Sequence, residues 1–460
     1  MSAFTNASSQ ASAPITLKPG AYYFEFDGHQ AFLFGRNPTG WKVAQFEPLL
    51  GWARESGERI ARIHITVGMV PKGAPGKLDE AWARQWEQVF LLAASNGVQV
   101  LPVFDAWARW NDGSTGGAPA EWLQWKSNPH NRALGGSASH PGELLKDTEC
   151  RKLWLAWAAQ LVERWQALPN ICAWEIFSEL DLVTGANEAA ALEFASQAAA
   201  VIRRADPRRR PVTASLSGME EWPKLFASDA LDIIQVHPYA SDPRFKGQLD
   251  EMILGSVRAR LKTYAKPVLI GESGLAAVLD APSKQTRLVG SPAAQMGIRN
   301  AIWAAIVSGA MTGRMLWWED GYDLYSKEDL RTPYRHAASS AAKFVADVDF
   351  SGFQPVEATL PGELFGGAIG NEKIVLGWFR DARCRAPDWA VRNITTQVVQ
   401  LKLPGNNAEW RAEFYDTTDG KIMGARRVRT VSGLTTVPLP PFAGAVALKL
   451  VHLQNQSGSN

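Results

Sequence analysis

Between residues 31 and 318 the chain repeats one pattern eight times: a short apolar run, then in most cases a longer amphipathic stretch. The apolar runs fall at 31–35, 60–67, 98–104, 171–177, 211–216, 233–237, 267–271 and 313–318. Helix-like segments at 45–56, 80–95, 149–168, 187–205, 248–264 and 292–308 separate them. In 149–168, Leu153, Trp157, Leu161 and Trp165 recur every four positions, the mark of one buried helical face. Strands joined through helices pair in parallel by right-handed crossovers, and eight such units close into a barrel of about 250 residues or more. The rival, an open doubly wound sheet, needs a glycine-rich phosphate loop after an early strand. The one glycine-rich stretch, 362–370, sits too late and outside any strand–helix–strand unit. The expected fold class is therefore α/β, a (β/α)8 TIM barrel.

The pattern changes after about Asp349. Short runs at 374–379, 396–403, 410–416, 427–431, 434–438 and 446–450 alternate with turn signals, and no helical period intervenes. This reads as a C-terminal antiparallel β-sandwich. The expected division is a disordered polar leader at 1–20, a barrel at 21–348, the β domain at 354–453 and a disordered tail at 454–460. The leader lacks the basic start and apolar centre of a signal peptide. A trimmed export signal would leave no trace, so the compartment stays open.

Composition narrows the partner classes. Forty-eight basic residues against 46 acidic ones leave a net charge of +2, and the longest basic run is Arg208-Arg209-Arg210, read as a solvated helix end. Nucleic-acid binding is not expected. No apolar run approaches the roughly 20 residues that span a bilayer. Three widely spaced cysteines (Cys150, Cys172, Cys384) form neither a disulfide framework nor a CxxC pair, and Cys172 reads as a small core hydrophobe. No HExxH or other metal spacing appears, so neither metal nor cofactor is expected. The abnormal count is 19 tryptophans against 8 tyrosines. Most are expected to pack, Trp378 and Trp410 included, but a flat apolar ring with a hydrogen-bonding edge also suits sugars. Four of them, Trp107, Trp110, Trp122 and Trp125, lie in the long connection 105–146 after the third strand. A connection of that length at the C-terminal end of a barrel strand is expected to wall the cleft.

In barrels of this kind, groups at the C-terminal strand ends carry chemistry. Glu179 follows the fourth run and Glu272 ends the seventh, on opposite sides of the mouth. Two facing carboxylates about 5–5.5 Å apart are the apparatus of retaining glycoside hydrolysis, one as nucleophile and the other as acid and then base. One must start neutral and the other ionised, a difference only their surroundings can set.

The segment Arg164 through Glu179, with Pro169-Asn170-Ile171-Cys172-Ala173-Trp174-Glu175, resembles the acid/base segment of clan A glycoside hydrolases, and the cellulase and β-mannanase family, family five, is the nearest resemblance. Gly271-Glu272-Ser273-Gly274 is similar to its nucleophile strand, Gln235-Val236-His237-Pro238-Tyr239 to its sixth-strand segment, and 313–320, containing Trp317-Trp318, to its eighth. Arg62 and His64 fit the second strand. The resemblance implies Glu179 as acid/base and Glu272 as nucleophile, with Arg62, His64, Ser178, His237, Tyr239 and Trp317 toward the substrate; Trp107, from the long connection, is a further substrate-binding candidate. One position departs: the family carries Asn before the acid/base, bonding the substrate's 2-hydroxyl, where this chain has Ser178. A serine is shorter, so that contact is expected to be altered or bridged by water.

Two roles stay open for Arg62: holding Glu272 ionised, or pairing in the core with Glu175, which shares the parity of Glu179 one layer deeper. His237 and Tyr239 alternate onto one face. Of the tryptophan pair, Trp317 is the one expected in the mouth. The expected activity is retaining cleavage of β-linked poly- or oligosaccharides, endo-acting because of the long cleft wall. The alternatives are a non-catalytic glycan-binding barrel and a transglycosylase or exopolysaccharide-processing factor.

Overall fold

A computed structural model describes residues 15–65, 74–116, 120–146, 148–240, 247–275, 292–317, 332–395, 397–403 and 407–453. Eight strands form one parallel sheet: β1 Leu33–Arg36, β2 Ile60–His64, β3 Gln99–Ala106, β4 Trp174–Ser178, β5 Val212–Leu216, β6 Ile233–Val236, β7 Val268–Ile270 and β8 Thr312–Leu316. They run in sequence order with β8 returning beside β1. The last gap, between β7 and β8, closes through a Ser273–Leu316 bridge and the Thr312 hydroxyl, which accepts from Ile270 N and donates to Ile270 O. The sheet is thus a closed (β/α)8 barrel. Its helices are α1 Val43–Glu55, α2 Glu80–Ser95, α3 Glu149–Trp165, α4 Glu188–Ala205, α5 Pro223–Ala227, α6 Leu249–Tyr264, α7 Pro292–Ser308 and α8 Thr332–Val345.

Local chemistry sets several of these boundaries. The Asp79 carboxylate caps α2 by accepting from Ala81 N and Trp82 N, and the Asn187 side chain caps α4 by accepting from Ala190 N. On α3 the buried stripe is Cys150, Trp154, Trp157, Ala158, Leu161 and Trp165, so Trp154 takes the place expected of Leu153. The fourth run is interrupted: Ile171 bridges Val100, but the ladder of β4 starts only at Trp174.

Two readings are corrected. Arg210 is not a solvated helix end. Its guanidinium is buried, bonds Asp206 Oδ1 at 2.9 Å, and donates to the carbonyls of Gln166, Leu168 and Ile171. It lashes the end of α3 to the start of β4. The leader is not polar and loose throughout either. Ile15 is buried, and Thr16 pairs with Glu25 beside a hairpin of Phe24–Phe26 and His29–Ala31. Residues 1–14 and 454–460 lie outside the described residues.

The C-terminal region forms one nine-stranded antiparallel sheet from β9 Gln354–Val356, β10 Ala358–Thr359, β11 Leu364–Gly370, β12 Ile374–Asp381, β13 Val398–Lys402, β14 Glu409–Asp416, β15 Ile422–Val431, β16 Leu434–Pro438 and β17 Ala445–His452. The long β15 pairs with β14 over most of its length and with β16 only at Thr430 and Val431. The sheet therefore bends there and closes over a core of Phe379, Trp410, Phe414 and Leu448 from one half with Val399, Leu401 and Val437 from the other. Most of the glycine-rich stretch 362–370 is strand β11.

The other face of this sheet packs on the barrel. Trp378 and Leu376 join the barrel core, and the Trp303 indole of α7 donates to Thr417 O at 3.1 Å. The expectation that Trp378 and Trp410 pack holds, since both are fully buried. Arg380, also buried, bonds Asp250 and Glu251 on α6. Replacing Arg380 with Leu strands the buried Asp250 carboxylate without its cation, and a loss of about 3–5 kcal/mol is expected. A fall in the thermal midpoint measures it; an unchanged midpoint would show that the interface carries no such charge pair.

Candidate active site

The strand ends bring the sequence candidates together in one buried cluster. Arg62, on β2 inside the barrel, uses all five of its donors. Nε donates to Glu175 Oε2 at 2.7 Å, and Nη2 to Glu175 Oε1 at 2.6 Å and Ser178 Oγ at 2.9 Å. Nη1 donates to Glu272 Oε1 at 2.6 Å and lies 3.0 Å from His64 Nε2 and 3.2 Å from Asn37 Oδ1. The two roles left open for Arg62 are thus both filled by one planar guanidinium, which holds two carboxylates of neighbouring layers at once.

Glu272 receives two further contacts from the β6 side. Tyr239 Oη donates to its Oε2 at 2.6 Å, and His237 Nδ1 lies 3.6 Å from the same oxygen. A Tyr239–Gly274 bridge extends the β6–β7 pairing past the ladder and so sets the tyrosine beside the carboxylate. At Gly271, just before Glu272, a Cβ would come within 2.6 Å of the Gln235 side chain, so only glycine leaves room for that amide beneath the site.

Glu179 stands directly after β4 with a left-handed backbone, φ 62° and ψ 62°. A non-glycine residue pays strain for that conformation, and the surroundings must hold it. Ser215 Oγ on β5 accepts its N–H at 3.0 Å, and His237 Nδ1 lies 2.9 Å from its Oε1. Ligand atoms of Glu179, His237 and Glu272 all lie within 4.8 Å of one another. Among the described residues this is the one such group of histidine and carboxylates. Of the three, Glu272 already holds a cation, the Arg62 guanidinium.

The two carboxyls differ in proton affinity. Burial raises that of Glu179, with the nearby negative charges of Glu272 and Asp181 adding to it against His237. Burial pushes Glu272 in the same direction, but the neighbouring His237, the positive charge of Arg62 and a hydrogen bond with His64 more than reverse it, holding it well below the usual carboxylate range. Burial and the adjacent Arg62 charge lower the affinity of His64.

The remaining candidates are placed as follows. The ring of His64 lies 5.1 Å from that of Trp317, whose backbone N–H donates to Ser273 O at 3.2 Å. Trp318 lies outside the described residues. The connection after β3 is a folded layer of short 3-10 turns, starting with Trp107–Trp110. Trp107 is half-buried against the barrel core, while Trp110 is fully buried with its indole on Asp105 at 2.8 Å. Ser178 is buried and its hydroxyl already accepts from Arg62.

Sequence reading missed Asn37, Ser215 and Asp181. Asn37 donates to Gly271 O at 3.0 Å and faces Arg62 with its oxygen, tying the ends of β1 and β7 to the cluster. Its signal was available: a polar amide one position past the C-terminal end of the first strand.

An α/β barrel with paired carboxylates at its C-terminal mouth is the architecture of clan A glycoside hydrolases, and this fold is similar to theirs. One solved glycoside hydrolase superimposes with a TM-score of 0.64 at 13% identity over 95% of this chain and 97% of that one. A family 5 glycoside hydrolase from Bacteroides vulgatus ATCC 8482 gives 0.63 at 14% identity over 95% and 93%. An endo-1,4-β-mannanase from Rhizomucor miehei gives 0.52 at 12% identity over 73% and 100%. With 95% of the chain covered, the first two likenesses take in the C-terminal sheet as well as the barrel. At these identities the likeness is one of fold. No family model and no curated protein matches the sequence.

Proposed function

We propose that the protein is a retaining glycoside hydrolase that cleaves β-linked poly- or oligosaccharides by double displacement. The observation that carries this reading is the pair of carboxyls within 4.8 Å of each other, one biased toward its acid form and the other toward its anion. A separation near 5 Å leaves no room for a water between sugar and base, so the second carboxylate attacks the anomeric carbon itself. Glu272, kept anionic and oriented by Arg62 and Tyr239, is the nucleophile. Glu179 gives its proton to the leaving oxygen and later takes one from the incoming water, with His237 beside it. Trp317 and His64 lie at the nucleophile side and contact the sugar. The folded segment carrying Trp107 borders the β3–β4 side of the mouth, which supports binding of a chain and endo cleavage.

The reading is tested by reducing-end release over a panel of β-glucans, mannans, xylans and bacterial exopolysaccharides, with the product anomer followed by NMR. Release of the β-anomer first from a β-linked substrate is expected. Initial α-product, or binding without release, would end the assignment.

The pH profile of kcat/KM has a required shape. Glu272 must be ionised and Glu179 protonated in the free enzyme. Because the former is held low and the latter raised, activity should persist on the acid side to below the ordinary carboxylate range. It should fall as pH rises through the raised value of Glu179. The variant Glu179→Gln is expected to lose that alkaline limb, and its retention there would give the limb to another group.

A further inference from the structure

The left-handed turn at Glu179 is pinned from two sides. Leu182 N donates back to Glu179 O at 3.1 Å, and Asn111, from the connection after β3, donates to Leu182 O at 2.7 Å. On the other side stands Asp181, half-buried, whose carboxylate accepts from Ser217 N at 2.7 Å and from the Ser217 hydroxyl. The next residue, Gly218, accepts from His237 N at 3.2 Å, and the His237 ring returns to Glu179. The ends of β4, β5 and β6 are thus joined in one ring of hydrogen bonds, with Asp181 as the carboxylate link between the first two.

We propose that Asp181 is a positioning residue for Glu179, holding its turn through Ser217 and placing a second carboxylate beside it. The inference rests on the acid/base reading of Glu179 for its catalytic consequence, though the linkage itself does not. Among the described residues, the charged and titratable groups facing Glu179 are Glu272 from the end of β7, His237 from the end of β6 and Asp181 on its own turn. The β5 end presents the hydroxyls of Ser215 and Ser217. Beneath, the Arg62 cation is shared between Glu175 and Glu272 and donates to Ser178. Of the two carboxylates that hold a proton on Glu179, Glu272 is reserved for attack on the sugar. Asp181 is the one whose charge does nothing else at the reacting carbon.

The variant Asp181→Asn keeps the shape and an oxygen to accept from Ser217 N, and removes the charge. The primary measurement is a carboxyl-carbon NMR titration of the full chain with labelled glutamate, Glu179 being assigned by its loss in Glu179→Gln. In Asp181→Asn the Glu179 signal is expected to titrate roughly half to one pH unit lower. For activity, substrates with poor and good leaving groups are compared, because a dinitrophenyl leaving group needs no proton. On the alkaline side of the profile Asp181→Asn should lower kcat/KM for an unactivated oligosaccharide about three- to tenfold and leave kcat/KM for a 2,4-dinitrophenyl glycoside of the same sugar nearly unchanged. The variant Ser217→Ala should slow the oligosaccharide in the same selective way. An unmoved Glu179 titration, or equal losses on both substrates, would overturn the proposal. A shifted titration in a protein that hydrolyses nothing would support the linkage and count against the glycosidase reading alone.

Discussion

Replacing Glu272 by glutamine is expected to abolish turnover while the protein stays folded. The amide cannot attack the anomeric carbon, and a loss of roughly 10⁴-fold corresponds to about 5.5 kcal/mol of barrier. Removing a buried charge would ordinarily endanger the fold, because its partner is left uncompensated. Here the Arg62 guanidinium keeps both of its bonds to Glu175, and the glutamine oxygen still accepts from Nη1 or from Tyr239. A steady-state rate with the best substrate of the panel, taken beside a thermal unfolding scan, checks both halves. Near-normal hydrolysis would remove the nucleophile assignment. A collapsed midpoint would show that the network carries the fold as well as the site.

Replacing Glu175 should do the reverse, with its main effect on stability. Both side chains of the Arg62–Glu175 pair are fully buried, and the bonds between them measure 2.6 and 2.7 Å. In Glu175→Ala the guanidinium retains one carboxylate where it had two, next to a new cavity. A loss of about 3–5 kcal/mol is expected, the range for breaking a buried pair from one side. The urea midpoint reads it, and an unchanged midpoint would mean that Glu272 alone suffices to hold the cation. Activity should also fall, since a guanidinium drawn wholly toward Glu272 no longer sits at the angle set by both partners.

The barrel was legible because its signal is local. Apolar runs and helical stripes are read within about ten to twenty residues, and each of the eight runs contributes a strand. Strand β11 escaped because glycine is poor in strand propensity, and its pairing with β12 overrides that preference. Arg210 was misread because three successive arginines look solvated. The corrective signal was Asp206, four residues earlier, which forms the buried pair. At the site, strand-end position pointed to Glu179 and Glu272, whereas the partners of Arg62 stand 113 and 210 positions away. Separations of that size leave no periodicity to read. Asp181 likewise looks like any acidic residue in a turn until Ser217 is seen against it.

The amino-acid order alone determined the closed sheet of parallel strands, since the spacing of apolar side chains dictates which faces must leave water and in what rhythm. It also determined which acidic groups stand at the mouth. Which of the two keeps its proton was decided only in three dimensions. Both are glutamates of equal intrinsic affinity, and they part because folding places the Arg62 guanidinium on one, and buries the other beside further negative charge.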